Sequence, residues 1–122
     1  MALQPETLEQ IAVMNWLRAQ HPKLVPLTMH IPNERKCSQA HGYILKKMGL
    51  LPGASDLFIA HARGGYHGMF IEIKTLKGSL TPNQVNFLEN MNAQKYFATC
   101  EKGFEAIVAR INWYLSLPDS LN

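Results

Sequence analysis

The chain has 122 residues, 47% of them apolar and 17% charged, with a net charge of +3. A chain of this length can bury about two-thirds of the surface its unfolded form exposes, enough for a core without disulfides or a structural metal. No run approaches the roughly 18 apolar residues needed to cross a bilayer, and the N-terminus lacks the basic start and continuous apolar stretch of a secretory signal, so a cytoplasmic protein is expected.

Residues 6–20 place Leu8, Ile11, Ala12, Trp16 and Leu17 at helical spacing between Pro5 and the His21-Pro22 stop, and predict a first helix. LVPLTMHI, residues 24–31, reads as a strand, with Pro26 pointing to an edge or an irregular start. SQAHGYILKKMG then predicts a second helix that buries Ala40, Ile44, Leu45 and Met48 and ends at Gly49. DLFIA and GMFIEIK predict two short strands joined by ARGGYH, whose glycines suit a reversal, hence a hairpin.

Thr81-Pro82-Asn83-Gln84 has the pattern of a capping box and opens a third helix, with Phe87, Leu88 and Met91 facing a core. YFATC, residues 96–100, predicts a last strand, and FEAIVARINWYL a last helix. The order α β α β β α β α describes an α/β domain with a mixed sheet. Without repeats or linkers, residues 1–122 read as one unit.

Basic charge is gathered in the middle of the chain. Between Arg35 and Lys77, seven lysines and arginines face only Asp56 and Glu72, a net +5, while the remainder carries −2. Such a stretch suits a polyanionic partner. Cys37 and Cys100 lack CxxC spacing and read as small buried hydrophobes. His30, His41, His61 and His67 show no metal-binding spacing and read as structural or surface residues.

The two acids carry chemistry. Period 2 puts Phe70, Glu72 and Lys74 on one side of GMFIEIK, and an antiparallel hairpin brings Asp56 beside Glu72. Two carboxylates in an apolar setting repel each other and lose hydration. Lys74 can answer only one of them, and a hard cation such as Mg²⁺ completes the balance, since it takes carboxylate and water oxygens together with phosphate. Asp56 and Glu72, with the main-chain carbonyl of Ile73, are the expected metal ligands, and Lys74 would orient or help deprotonate water in a phosphate-transfer reaction.

PGASD…IEIK resembles the PD-(D/E)XK nuclease signature. ETLEQIAVMNWL, HIPNERK, KKMGLLPG, SDLF, GGYHG before FIEIK, KGSLTPNQ and GFEAI narrow the resemblance to the virus-type replication-repair nuclease domain, VRR-NUC, over almost the whole chain, as in stand-alone viral forms. The resemblance implies a restriction-endonuclease-like fold and an Mg²⁺- or Mn²⁺-dependent DNA endonuclease. It further implies action on branched DNA in the manner of a Holliday-junction resolvase, by a homodimer without an organic cofactor; if viral, its place is the host cytoplasm.

It also maps a first-helix acid onto Glu9, with Glu6 a competitor one turn away, and a glutamine onto Gln84, which the capping box also claims. Ser55 stands where the family usually has Pro, and Asn33-Glu34-Arg35 where it has Asn-Gly-Gly. Asn33, Arg35, Lys36, Lys46, Lys47, Arg63 and Lys77 are the expected DNA contacts. The alternatives are a non-catalytic nucleic-acid-binding module and a broad nuclease that nicks flaps or duplex.

Overall fold

Pro5 opens α1 (Pro5–Gln20), where its missing N–H breaks no intrahelical bond. The computed structural model describes residues 2–32 and 38–120. The inward stripe of α1 holds Val13 and Leu17, both fully buried, whereas Leu8 and Ile11, expected in the core, are exposed. In its first two turns it is Glu6, Glu9 and Gln10 that are half-buried, so this end of the helix overhangs a polar region.

The strand expected over residues 24–31 is shorter. Pro22–Leu27 forms a 3₁₀ helix with Pro26 inside it, and β1 is only Thr28–His30. Pro26 has no N–H for a sheet ladder, and Thr28 Oγ1 closes the turn by donating to Leu24 O at 2.8 Å. β1 lies at the sheet edge, as Pro26 suggested.

α2 (Gln39–Lys47) starts at Ser38, whose side chain accepts the His41 N–H, and ends with Gly49 N–H on Lys46 O and Leu50 N–H on Leu45 O. Its expected core face is overturned. Ala40, Ile44 and Met48 are exposed, Leu45 is half-buried, and Gly42 is the buried residue of the helix. Amphipathic spacing sets which residues share a face, but among the described residues no layer of the fold covers this one.

β2 (Leu57–Ile59) and β3 (Met69–Lys74) form the expected antiparallel hairpin, with Leu57 opposite Ile71 and Ile59 opposite Met69. Its reversal is Arg63-Gly64-Gly65-Tyr66, with φ of +58° at Gly64 and +86° at Gly65, the left-handed pair that a tight hairpin turn requires. α3 (Pro82–Ala93) leads into β4 (Phe97–Lys102), which pairs parallel to β3, and α4 (Phe104–Leu115) follows. The sheet runs β1-β2-β3-β4 and is mixed.

Leu57, Ile59, Met69, Ile71 and Ile73 on one sheet face pack with Val13 and Leu17 of α1 and Ile107, Ile111 and Tyr114 of α4. Each such buried aliphatic side chain is worth roughly 1.5–3 kcal/mol. The opposite face is thinner: Phe87 and Leu88 of α3 meet Phe70, Ala98 and Cys100. There the Asn92 amide donates to Ala98 O and accepts from Ala98 N–H, acting as a short extra strand on the edge of β4.

Candidate active site

β3 carries Glu72 and Lys74 into this second face, and both are buried, at 1% and 5% exposure. Asp56 stands one residue before β2. Because Leu57 pairs with Ile71, Asp56 falls beside Glu72, and its Oδ2 accepts the Ile73 N–H at 2.7 Å. Gly103 N–H on Lys74 O shows that the even residues of β3 turn their main-chain groups to β4, so Ile73 turns its N–H and carbonyl toward Asp56.

The two oxygens of Glu72 differ. Oε2 lies 3.8 Å from Lys74 Nζ and accepts from Gln84 Nε2 at 3.4 Å. Oε1 is buried and has no hydrogen-bond partner among the described residues. Burial pushes the Glu72 carboxyl up to about 8; the nearby Asp56 carboxyl pushes the same way, Lys74 opposes it, and the Glu6 charge adds a little more. With no cation beside it, the Glu72 carboxyl is therefore biased toward its protonated form near neutral pH.

Gln84 serves both roles proposed for it. Its Oε1 accepts the Thr81 N–H at 3.0 Å in the capping box, which turns its amide nitrogen toward Glu72. Of the two first-helix acids, Glu6 is the one whose charge reaches Glu72, although the resemblance favoured Glu9.

A cavity of about 210 Å³ opens over Asp56, Glu72 and Gln84, walled by Leu50 to Ala54 and the first turn of α3. The wall depends on Gly53. Its φ is +87°, and a Cβ there would sit 2.4 Å from the carbonyl of Asn83. Sequence reasoning identified the turn but not this approach between distant segments. Cys100, read from the sequence as a buried hydrophobe, is only half-buried and is the register partner of Glu72; Lys102, the partner of Lys74, was not singled out.

Among the described residues, no three His, Cys, Asp or Glu side chains converge on one point. Among the described residues, the Asp56 and Glu72 carboxylates and the Ile73 main-chain carbonyl are the oxygens gathered here. That oxygen set, with an unpartnered buried Oε1, fits Mg²⁺ or Mn²⁺, which complete their shells with water and phosphate.

The basic residues divide. Lys46 and Lys47 sit in the last turn of α2, just before the cavity wall, and Lys77 is exposed on the loop that follows Lys74. Arg63, expected on DNA, lies at the far end of the hairpin, where Nη2 donates to Leu115 O at 2.6 Å. It caps the end of α4 and is not placed to meet a phosphate at the carboxylates. Asn33, Arg35 and Lys36 lie outside the described residues, as does Cys37.

The sequence pattern of the VRR-NUC domain matches residues 4–113. The chain belongs to the VRR-NUC family. A solved structure described as a "VRR_NUC domain protein" is similar over 98% of this chain and 94% of that one, at 32% identity and a TM-score of 0.85. No curated protein matches. Membership in VRR-NUC assigns a nuclease-type function on the PD-(D/E)XK fold, with DNA as the partner.

Proposed function

We propose that this VRR-NUC protein is a metal-dependent DNA endonuclease that cuts branched DNA. The observation that carries the metal site is the buried, unpartnered Glu72 Oε1 beside Asp56. Asp56, Glu72 and the Ile73 carbonyl would hold Mg²⁺ or Mn²⁺, which would offset the carboxylate and phosphate charges and make water a better nucleophile.

The chain's own groups do the rest. Lys74, buried beside Glu72, orients the attacking water and sets its ammonium against the charge that grows on the phosphate. Gln84 holds the Glu72 carboxylate through Oε2, which leaves Oε1 as the oxygen that would be available to an ion. Glu6, entering from α1, supplies the additional first-helix acid. The branched substrate and a homodimer go together, because two symmetric sites can cut two opposed strands; both rest on the family resemblance.

A labelled four-way junction, a flap and a linear duplex, each incubated with Mg²⁺, Mn²⁺ or chelator, test the reading. Cutting is expected with either ion and preferentially at the junction. Cutting in chelator removes the metal mechanism, cutting by Asp56→Ala removes the site, and binding without cutting leaves a recognition module. Equal cutting of all three substrates leaves a broad nuclease, and light scattering that finds an active monomer removes paired incision.

A further inference from the structure

β4 is the outer strand of the sheet, and it runs parallel to the strand that carries Glu72 and Lys74. Register partners in such a pair turn their side chains to the same face. Ala98 stands next to Phe70, Cys100 next to Glu72 and Lys102 next to Lys74. Phe70, Ala98 and Cys100 pack against Phe87 and Leu88 of α3, so this is the face that holds the carboxylates. Lys102 therefore leaves the sheet on the same face as Lys74, one strand away. Gly103 N–H on Lys74 O at 3.0 Å locks the register, and Gly103, at φ +88°, turns the chain into α4 directly after Lys102.

The two lysines differ in what answers them. Lys74 is buried, with Nζ 3.8 Å from Glu72 Oε2, whereas Lys102 is exposed. Among the described residues no carboxylate forms an ion pair with Lys102. Its neighbour Glu101 turns to the other face, where Thr99 Oγ1 and Arg110 Nε both donate to its Oε2. The charge of Lys102 is nevertheless felt beside the site: burial pushes the Cys100 thiol up, Glu72 pushes the same way, and Lys74 and then Lys102 oppose them, with Glu101 last. Like charges side by side on neighbouring strands oppose folding, so a lysine placed here asks for an anion from outside the chain.

We infer that Lys102 is a phosphate clamp of the active site, holding the DNA phosphate next to the one that Lys74 and the carboxylates address, on the β4 side. The two lysine stems start one strand spacing apart, about 4.8 Å, while the phosphates of one DNA strand advance about 3.4 Å along the axis per base. One DNA strand crossing the ends of β3 and β4 can thus meet both ammoniums. Lys74 is held by Glu72, and the exposed Lys102 is the one with an ammonium to spare for a second phosphate. The clamp rests on the nuclease reading above for which phosphate is cut.

The test separates contact from cutting. Binding of a fluorescein-labelled four-way junction is measured with Ca²⁺ in place of Mg²⁺, single phosphates of one strand being replaced in turn by uncharged methylphosphonate. Cutting of the unmodified junction is mapped separately with Mg²⁺. Neutralising the phosphate next to the cut should weaken wild-type binding by about fivefold, and Lys102→Ala should be indifferent to that one replacement. Lys102→Ala should also lower the slope of log affinity against log salt by about 1 at an unchanged urea midpoint, and Lys102→Arg should keep both behaviours. In cutting, Lys102→Ala should raise KM by about fivefold at nearly unchanged kcat, the mark of a contact made equally before and in the transition state.

A scan that is the same for wild type and Lys102→Ala overturns the clamp, and so does a coupled phosphate remote from the cut. A lower salt slope with no position singled out also overturns it, making Lys102 part of a diffuse field. Unchanged DNA binding with larger species in light scattering overturns it as well, and assigns Lys102 to blunting the edge of β4. A single coupled phosphate on a junction that wild type does not cut keeps the contact and removes the nuclease reading.

Discussion

The β2–β3 hairpin has two ends made from the same two strands, and they finish in opposite chemistry. At the tip, Tyr114 Oη donates to His61 O at 2.6 Å, Gly64 N–H to Pro118 O at 2.7 Å and Gly65 N–H to Ser120 Oγ at 2.9 Å, with Arg63 on Leu115 O. At the open end, Glu72 keeps a buried oxygen without a partner, and its carboxyl is held far from its ordinary ionisation. The tip is closed by the chain's own groups; the open end is left incomplete in a way that a cation and a phosphate can complete.

The largest break between the ends should appear in activity. Asp56→Asn and Lys74→Ala should each lower Mg²⁺-dependent DNA cleavage by roughly 10²–10⁴-fold, the usual scale for a group acting on the transition state. Tyr114→Phe, at the tip, should leave the cleavage rate within about twofold at a temperature where both proteins are folded. A gel assay on one labelled substrate measures all three, and a comparable loss in Tyr114→Phe would erase the distinction.

Proton linkage gives the next effect. Glu72 titrates near 8 in the folded, metal-free protein and near its ordinary 4.5 when unfolded, so between those values the folded state binds the extra proton. Its contribution to stability is therefore full below about 4.5, falls as pH rises and is lost by about 8, on the order of a few kcal/mol. Urea unfolding in chelator should show metal-free stability falling from pH 5 to pH 8.5, and Glu72→Gln should flatten the curve. Since the ion binds the deprotonated carboxylate, Mg²⁺ affinity should rise over the same interval with proton release, measurable by calorimetry in two buffers.

The tip carries a smaller, purely structural term. Tyr114→Phe leaves the His61 carbonyl without its donor and should cost about 1–3 kcal/mol, read as a lower urea midpoint at unchanged slope. Burial pushes the Tyr114 hydroxyl up to about 12, so this loss should not vary between pH 5 and pH 9.

Why the open end was legible in the sequence and much else was not follows from what local patterns encode. Period 2 in GMFIEIK and the glycines of ARGGYH specify the hairpin, and the hairpin alone brings Asp56 to Glu72. The capping box was equally local. Pro26 within LVPLTMHI was a warning that an apolar run need not be a strand, but only the 3₁₀ turn shows where the strand begins. Ile44 and Met48 were misplaced because amphipathicity does not reveal whether a covering layer exists. Glu6 and Glu9 are one turn apart on the same helix, and only the charge felt at Glu72 separates them. Gly53 against Asn83 joins segments thirty residues apart, which no local pattern contains.

Charge was the least legible property, since counting basic residues does not place them, and it supplies the smallest and sharpest contrast between the ends. Lys77 is exposed on the loop after Lys74, at the open end of the hairpin, while Arg63 is fastened to Leu115 O at the tip. Removing one phosphate contact lowers the slope of log affinity against log salt by about 1 and weakens binding to all DNA sequences alike. Lys77→Ala should do this with its urea midpoint unchanged. Arg63→Met removes the same unit of charge from the same stretch of sequence, yet should lower the urea midpoint and leave the salt slope as in wild type. Long-range attraction alone would make the two substitutions equivalent, because each changes net charge by one, so a matched salt dependence would mean that DNA reads the basic stretch as a diffuse field. A difference in slope places the duplex at the open end, in contact with the loop that follows Lys74.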